Sequence, residues 1–172
     1  MRHLIVSLSD RIHAAVRHLA VLAVGVMFFT VMIQVLARYV FFSPPIWTED
    51  VARYMMVWTG LMGATLSFKT GSDAVLMQSV FPARPHMMGL LAEAIRTAAI
   101  LVFAGPVIWF SFIGLRGGLA KGYLARQAGL TADTLGIPMV WFAIAVPLSM
   151  IIVLVHLAAR WAERHPAGES RL

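Results

Sequence analysis

Leu19 to Ala37 is a run of nineteen residues interrupted only by Thr30 and Gln34. At about 1.5 Å of rise per residue it makes a helix of roughly 28 Å, the hydrocarbon thickness of a bilayer. Arg38 closes it. An arginine at the bilayer centre costs about 3 kcal/mol on insertion scales, so Arg38 belongs at the interface or against protein. A cleaved signal peptide would carry a shorter apolar core followed by a small-residue site. No such site precedes Pro44, so the run is read as an uncleaved first span.

Composition agrees. Of 172 residues, 60% are hydrophobic and only 13% charged, where a soluble domain is about half apolar and a quarter charged. The chain is therefore expected to be an all-α integral membrane protein. The formal charge of +6 would suggest nucleic acid on a soluble protein. Here the charges sit at the ends of apolar runs, so no nucleic-acid role is read from them. The absence of cysteine excludes disulfides, thiolate chemistry and Cys-ligated metal. Eleven methionines suit adaptable packing and need no cofactor.

The whole chain, 1–172, reads as one four-helix membrane domain with spans at about 19–40, 51–68, 87–115 and 137–159. Ahead of the first span, Leu4, Leu8, Ile12, Ala15 and Leu19 recur at helical spacing. Residues 1–18 are read either as an amphipathic interfacial helix or as a helical lead-in. Ser43-Pro44-Pro45 ends the first helix. Thr48 is the expected N-cap of the second, with Glu49 and Asp50 in its first turn, where the helix dipole favours acids. Gly60, Gly63, Ala64 and Ser67 give that helix a small-residue face for close packing. Lys69 and Gly71 mark its end.

Residues 72–86 form a connector bracketed by Pro82 and Pro85. In the third span Glu93 is expected to pair with Arg96, and Gly105-Pro106 to kink the helix. Glycines 117, 118, 122 and 129 make 116–134 a loop with room for one short helix. The fourth span starts near Pro138 and is expected to kink at Pro147, and Arg160, Arg164, His165 and Arg171 form a polar tail. Four spans put both ends on one side. With the ends inside, eight of the fourteen Lys and Arg fall on inner segments and five on outer ones, so both termini are expected to be cytoplasmic.

One constellation stands out. Gln34 and Arg38 lie a turn apart at the end of the first span, and Glu49, Asp50 and Arg53 occupy the first turn of the second. The short connection makes these helix ends neighbours, so two bases and two acids can form a nearly neutral network. It either locks the helical hairpin or shapes an outward surface for a partner subunit. Tyr39, Trp47 and Tyr54 are placed in an interfacial aromatic belt, and Trp58, one turn deeper, between helices.

Two other functions are carried as alternatives. A membrane haem or electron-transfer anchor would use His18, His86 or His156, all near helix ends. A self-sufficient small exporter would need an embedded carboxylate, for which Glu93 is the candidate. No phosphate loop, activated nucleophile or metal-ligand spacing is present, so no enzyme activity is expected.

The order Gln34…Arg38-Tyr39-Val40-Phe41, Pro45-x-Trp47-Thr48-Glu49-Asp50, Arg53-Tyr54 and Trp58 resembles the small membrane subunit of tripartite ATP-independent periplasmic (TRAP) transporters, the DctQ-like family. Gly63-Ala64, Lys69-Thr70-Gly71 and Leu135-Gly136-Ile137-Pro138…Trp141…Pro147…His156 extend the likeness across nearly the whole chain. It departs at Asp73, where a histidine is common, at Met77, where an acid is often seen, and at Asp50, which keeps the charge of a usual Glu. The resemblance implies a bacterial inner-membrane, multi-pass protein paired with a large multi-span permease and a periplasmic solute-binding protein. It implies sodium-driven import of an organic acid such as a dicarboxylate or sugar acid. The sodium and translocation sites would lie on the large subunit, with no cofactor here. Gln34, Arg38, Trp47, Glu49, Asp50, Arg53 and Trp58 are the residues expected to form the structural and partner-contact network.

Overall fold

The computed structural model describes residues 2–71, 86–114, 117–118, 121–132 and 134–164. The connector from Ser72 to Pro85, including Asp73 and Met77, the side chain of His86, Arg116, and the tail from His165 lie outside them.

The described chain is helical. Helix α1 is Arg2–Tyr39, α2 is Trp47–Thr70 and α3 is His86–Phe112; after a loop come the short α4 (Tyr123–Ala128) and α5 (Val140–Ala143), then α6 (Ala145–Arg164). Three helical stretches are long and apolar enough to cross a membrane: His3–Tyr39, Gly89–Phe112 and Val140–Glu163. Helix α2, expected as a span, is less apolar and is not among them.

Residues 2–18 do not form a separate interfacial helix. They continue into the first span without a break, so the lead-in describes them. Nor does the leucine stripe face inward. Leu4, Leu8 and Leu19 are exposed, while Ser9, Val16, Ala20 and Ala23 are buried. Small and polar residues line the packed face because close backbone approach, not hydrophobic transfer, holds helices together in lipid.

Helices α1, α2 and α6 pack on one another, and α3 joins them chiefly through α6. Val16, Ala20, Met62 and Ile152 form the junction of the three, with Ile12, Trp58 and Leu66 against it. Trp58 thus sits between helices. The small residues of α2 do not all contribute, because Gly60 and Ala64 face outward.

Helix α2 starts one residue before Thr48, and its N-cap is Ile46 with no side-chain cap bond. Thr48 is instead fully buried, its hydroxyl donating to the Pro45 carbonyl at 2.7 Å. Gly71 ends the helix at φ 66°, its N–H bonded to Ser67 O, the left-handed cap that glycine adopts without a Cβ penalty. The last span is locally irregular just before Pro147, although Ile144 keeps helical angles and its N–H still bonds to Val140 O at 2.9 Å. Residue 144 separates α5 from α6, and the missing N–H of Pro147 leaves the preceding turn without its i−4 bond. The earlier proline of this span lies before the helix, Pro138 forming an isolated antiparallel bridge with Thr131.

Met62 is 1% exposed at the three-helix junction, whereas Met56 is 68% exposed. Met62→Ala is expected to destabilise the fold by about 2 kcal/mol or more and Met56→Ala by under about 0.5 kcal/mol. Reversible unfolding in mixed micelles measures the difference.

Candidate functional site

Two polar layers cap opposite ends of the packed helices. At the α1–α2 turn, Arg53 reaches Glu49 at 2.7 Å and Asp50 at 3.7 Å. These are the i,i+4 and i,i+3 spacings of the first helical turn. Asp50 also accepts a hydrogen bond from Thr134 Oγ1. Tyr54, one turn on, stacks on Phe142 with ring centroids 3.5 Å apart and planes 7° from parallel. The start of α2 is thereby tied to the segment leading into the last span.

That segment is a tight hairpin. Ala132 N–H donates to Ile137 O at 2.9 Å, and Met139 N–H to Leu130 O at 2.8 Å. Gly136 turns it at φ 63°, the left-handed region that glycine enters freely. The Leu135-Gly136-Ile137-Pro138 motif thus builds the turn that carries Thr134 to Asp50.

Of the seven residues expected in one network, the structure brings together Glu49, Asp50 and Arg53. Arg38 is exposed and makes no ion pair among the described residues, and Gln34 is half-buried on α1. Trp47 and Tyr39 are both exposed, as interfacial aromatics are. Tyr54 leaves that belt for its stack on Phe142. Thr134 and Phe142 were missed by sequence reasoning, since both pair across more than eighty residues.

The turn itself presents apolar surface. Phe41, Phe42 and Ile46 are 73%, 84% and 77% exposed. Phe42 has φ 52°, which costs a non-glycine residue about 1 kcal/mol.

The second layer lies at the other end. Lys69 Nζ contacts Asp10 Oδ1 at 2.6 Å. Ser9 Oγ and His156 Nδ1 are hydrogen-bonded at 2.8 Å, and His13 lies edge-on to His156 with centroids 6.2 Å apart. Glu93, 5% exposed, meets Arg160 Nε at 3.3 Å. Its described ion-pair partner is therefore on α6, not only one turn away at Arg96. Arg160 lies 5.8 Å over the Phe68 ring, and Trp161 Nε1–H donates to Thr97 Oγ1 at 2.9 Å. Among the histidines weighed as haem ligands, His156 is held by Ser9, and His18 donates from Nδ1 to Ala14 O at 2.7 Å.

An all-helical membrane protein with a polar layer at each end is the class these elements define. The chain belongs to the DctQ component family of the tripartite ATP-independent periplasmic transporters, whose sequence model matches residues 27–166. It is a TRAP transporter small membrane component. It is also 25% identical over 145 residues to the sialic acid TRAP transporter permease protein SiaT of Haemophilus influenzae (strain 86-028NP). That match takes in 81% of this chain and 21% of the relative, so the chain spans about a fifth of the relative's length.

The two acids of the first turn are not equivalent. Glu49 is 65% exposed at its side chain and Asp50 17%. Glu49→Ala is expected to cost about 0.5 kcal/mol, as exposed helix pairs do. Asp50→Ala breaks the tie to the hairpin, for about 1–1.5 kcal/mol, since the exposed Thr134 hydroxyl can turn to water. Unfolding midpoints of the two variants test the order.

Proposed function

We propose that this chain is the small membrane subunit of a sodium-driven TRAP importer. It braces a large multi-span permease and helps present the periplasmic face to a solute-binding protein, with no catalysis of its own. The observation that carries this reading is how little of its spans the chain covers itself. Only 17% of the apolar window of the first span and 11% of that in α3 is buried, against 44% in the last. The outward stripe of Gly60 and Ala64 suits close approach by another helix, and a Cβ added at Gly60 would meet nothing within 4 Å.

Helix α2 is the fourth span, and both termini are cytoplasmic, in a bacterial inner membrane. Between Arg53 and Lys69 it carries fifteen residues without charge, about 22 Å of helix. Its more polar residues are tolerated because neighbours cover them; Thr65 is buried and donates to Met62 O at 2.8 Å. The outer layer is then Glu49, Asp50 and Arg53, with Gln34, Arg38 and Trp47 on the surrounding surface as partner contacts and Trp58 packed between the helices one turn deeper. The substrate is an organic acid. The Haemophilus relative is named for sialic acid, a sugar acid, and a dicarboxylate is the other class.

Purification of the tagged subunit from its native membrane in mild detergent is expected to bring down a large multi-span permease. A clean homo-oligomer, active in liposomes by itself, would overturn the assignment. Within the complex, Glu49→Lys is expected to impair uptake while the subunit still inserts, because the charge reversal acts on an exposed surface. Wild-type uptake would remove Glu49 from the contact. Phe42→Gly should leave stability unchanged or raise it by up to about 1 kcal/mol, since it releases a left-handed phenylalanine. Lower permease recovery from that variant would mark the apolar turn as contact surface, and unchanged recovery would remove it.

A further inference from the structure

The loop after α3 folds back against the helix that precedes it. Gly117 and Gly118 turn at φ 76° and 107°, and Gly114 N–H donates to Gly118 O at 3.2 Å. A Cβ on Gly114 would lie 2.7 Å from Lys121 Cβ, and one on Gly122 would collide with the Phe112 backbone. These approaches set α4 across the end of α3. Beside them lies a groove of about 400 Å³ whose walls include Val107, Phe110 and Ile113 of the α3 end, Tyr123 and Arg126 of α4, and Val146 of α6. Its floor is apolar, because the Ser111 hydroxyl donates into its own helix, to Val107 O at 2.6 Å.

Arg126 stands exposed at the lip of this groove. Among the described residues neither Arg126 nor Lys121 makes an ion pair. Trp109 and Trp141, 59% and 63% exposed, lie at the same end, as aromatic side chains do at the headgroup level of a bilayer. An apolar trough along a span, with a guanidinium at its interfacial end that pairs with no acid among the described residues, has the polarity of a phospholipid.

We propose that the groove seats one phospholipid from the surrounding leaflet. Its phosphate rests on the guanidinium fork of Arg126 beside the Tyr123 phenol, and an acyl segment lies over Val107, Phe110, Ile113 and Val146. Arginine suits this role because its planar fork presents paired donors to phosphate oxygens. An anionic headgroup is favoured over a zwitterionic one, since Arg126 and Lys121 add positive charge that nothing described offsets. The lipid then fills the space between α3 and α6 at the end opposite the Glu93–Arg160 and Thr97–Trp161 contacts. This site is independent of the permease contact proposed above.

The test is native mass spectrometry of the full chain in mild detergent, exchanged with defined mixtures of phosphatidylglycerol and phosphatidylcholine. Wild-type protein should retain one phospholipid, with phosphatidylglycerol preferred by about fivefold or more, the equivalent of one interfacial cation. Arg126→Gln should retain lipid without that preference. Val146→Trp and Val107→Trp fill the groove from opposite walls, and both should lose the bound lipid with helical content intact. Equal headgroup preference in wild type and Arg126→Gln, retention by both tryptophan variants, or no retained lipid on the wild type would overturn the proposal. Protection of the groove by the permease rather than by lipid would appear as the last of these outcomes.

Discussion

Register between helices in a membrane has to come from polar contacts or close packing, because lipid competes for every apolar side chain on equal terms. This chain uses both. Lys69 meets Asp10 at one end of α2, and Asp50 accepts from Thr134 at the other. Between them the helices meet through Val16, Ala20, Met62 and Ile152, side chains that would tolerate sliding by a turn. The two polar ends do not. A shift of one turn, about 5.4 Å, separates both pairs, so α2 is held against α1 at one end and against the segment before the last span at the other.

The same layers explain why α2 can be the least apolar of the long helices. A helix facing lipid on most of its surface has to be apolar on most of its surface. Helix α2 instead packs against both α1 and α6, and its polar groups are spent locally or on neighbours. Helix α3 is the opposite case. It packs chiefly on α6, and its window is apolar and almost uncovered.

Local features were legible in the sequence and distant pairings were not. Gly71 ending α2, the acids of the first turn beside Arg53, and Trp58 between helices all follow from spacing within one or two turns. The Thr48 cap failed because the helix begins at Trp47, which leaves Thr48 inside it with its hydroxyl donating to Pro45 O. The leucines of the α1 stripe are exposed, because amphipathic periodicity marks an inward face only where water is the alternative, and here lipid is. Arg160 opposite Glu93, Phe142 on Tyr54 and Thr134 on Asp50 join residues more than sixty apart. No periodicity encodes such pairs. The second layer, with Ser9, His13 and His156, was missed for the same reason, although Ser9 and His13 lie one helical turn apart.

Assembly in a bilayer asks more of a surface than apolarity, since an apolar face is already satisfied by lipid. What distinguishes the outward surface here is shape and strain. The Gly60 and Ala64 stripe lets a helix backbone come near, and the α1–α2 turn holds Phe42 in a conformation that a glycine would adopt without strain. Phe42, exposed at φ 52°, lies at the same end as Glu49 and Arg53. In the assembly proposed above the charges would orient an approaching partner, the aromatic turn would supply area, and the small-residue stripe below would set how closely the helices meet.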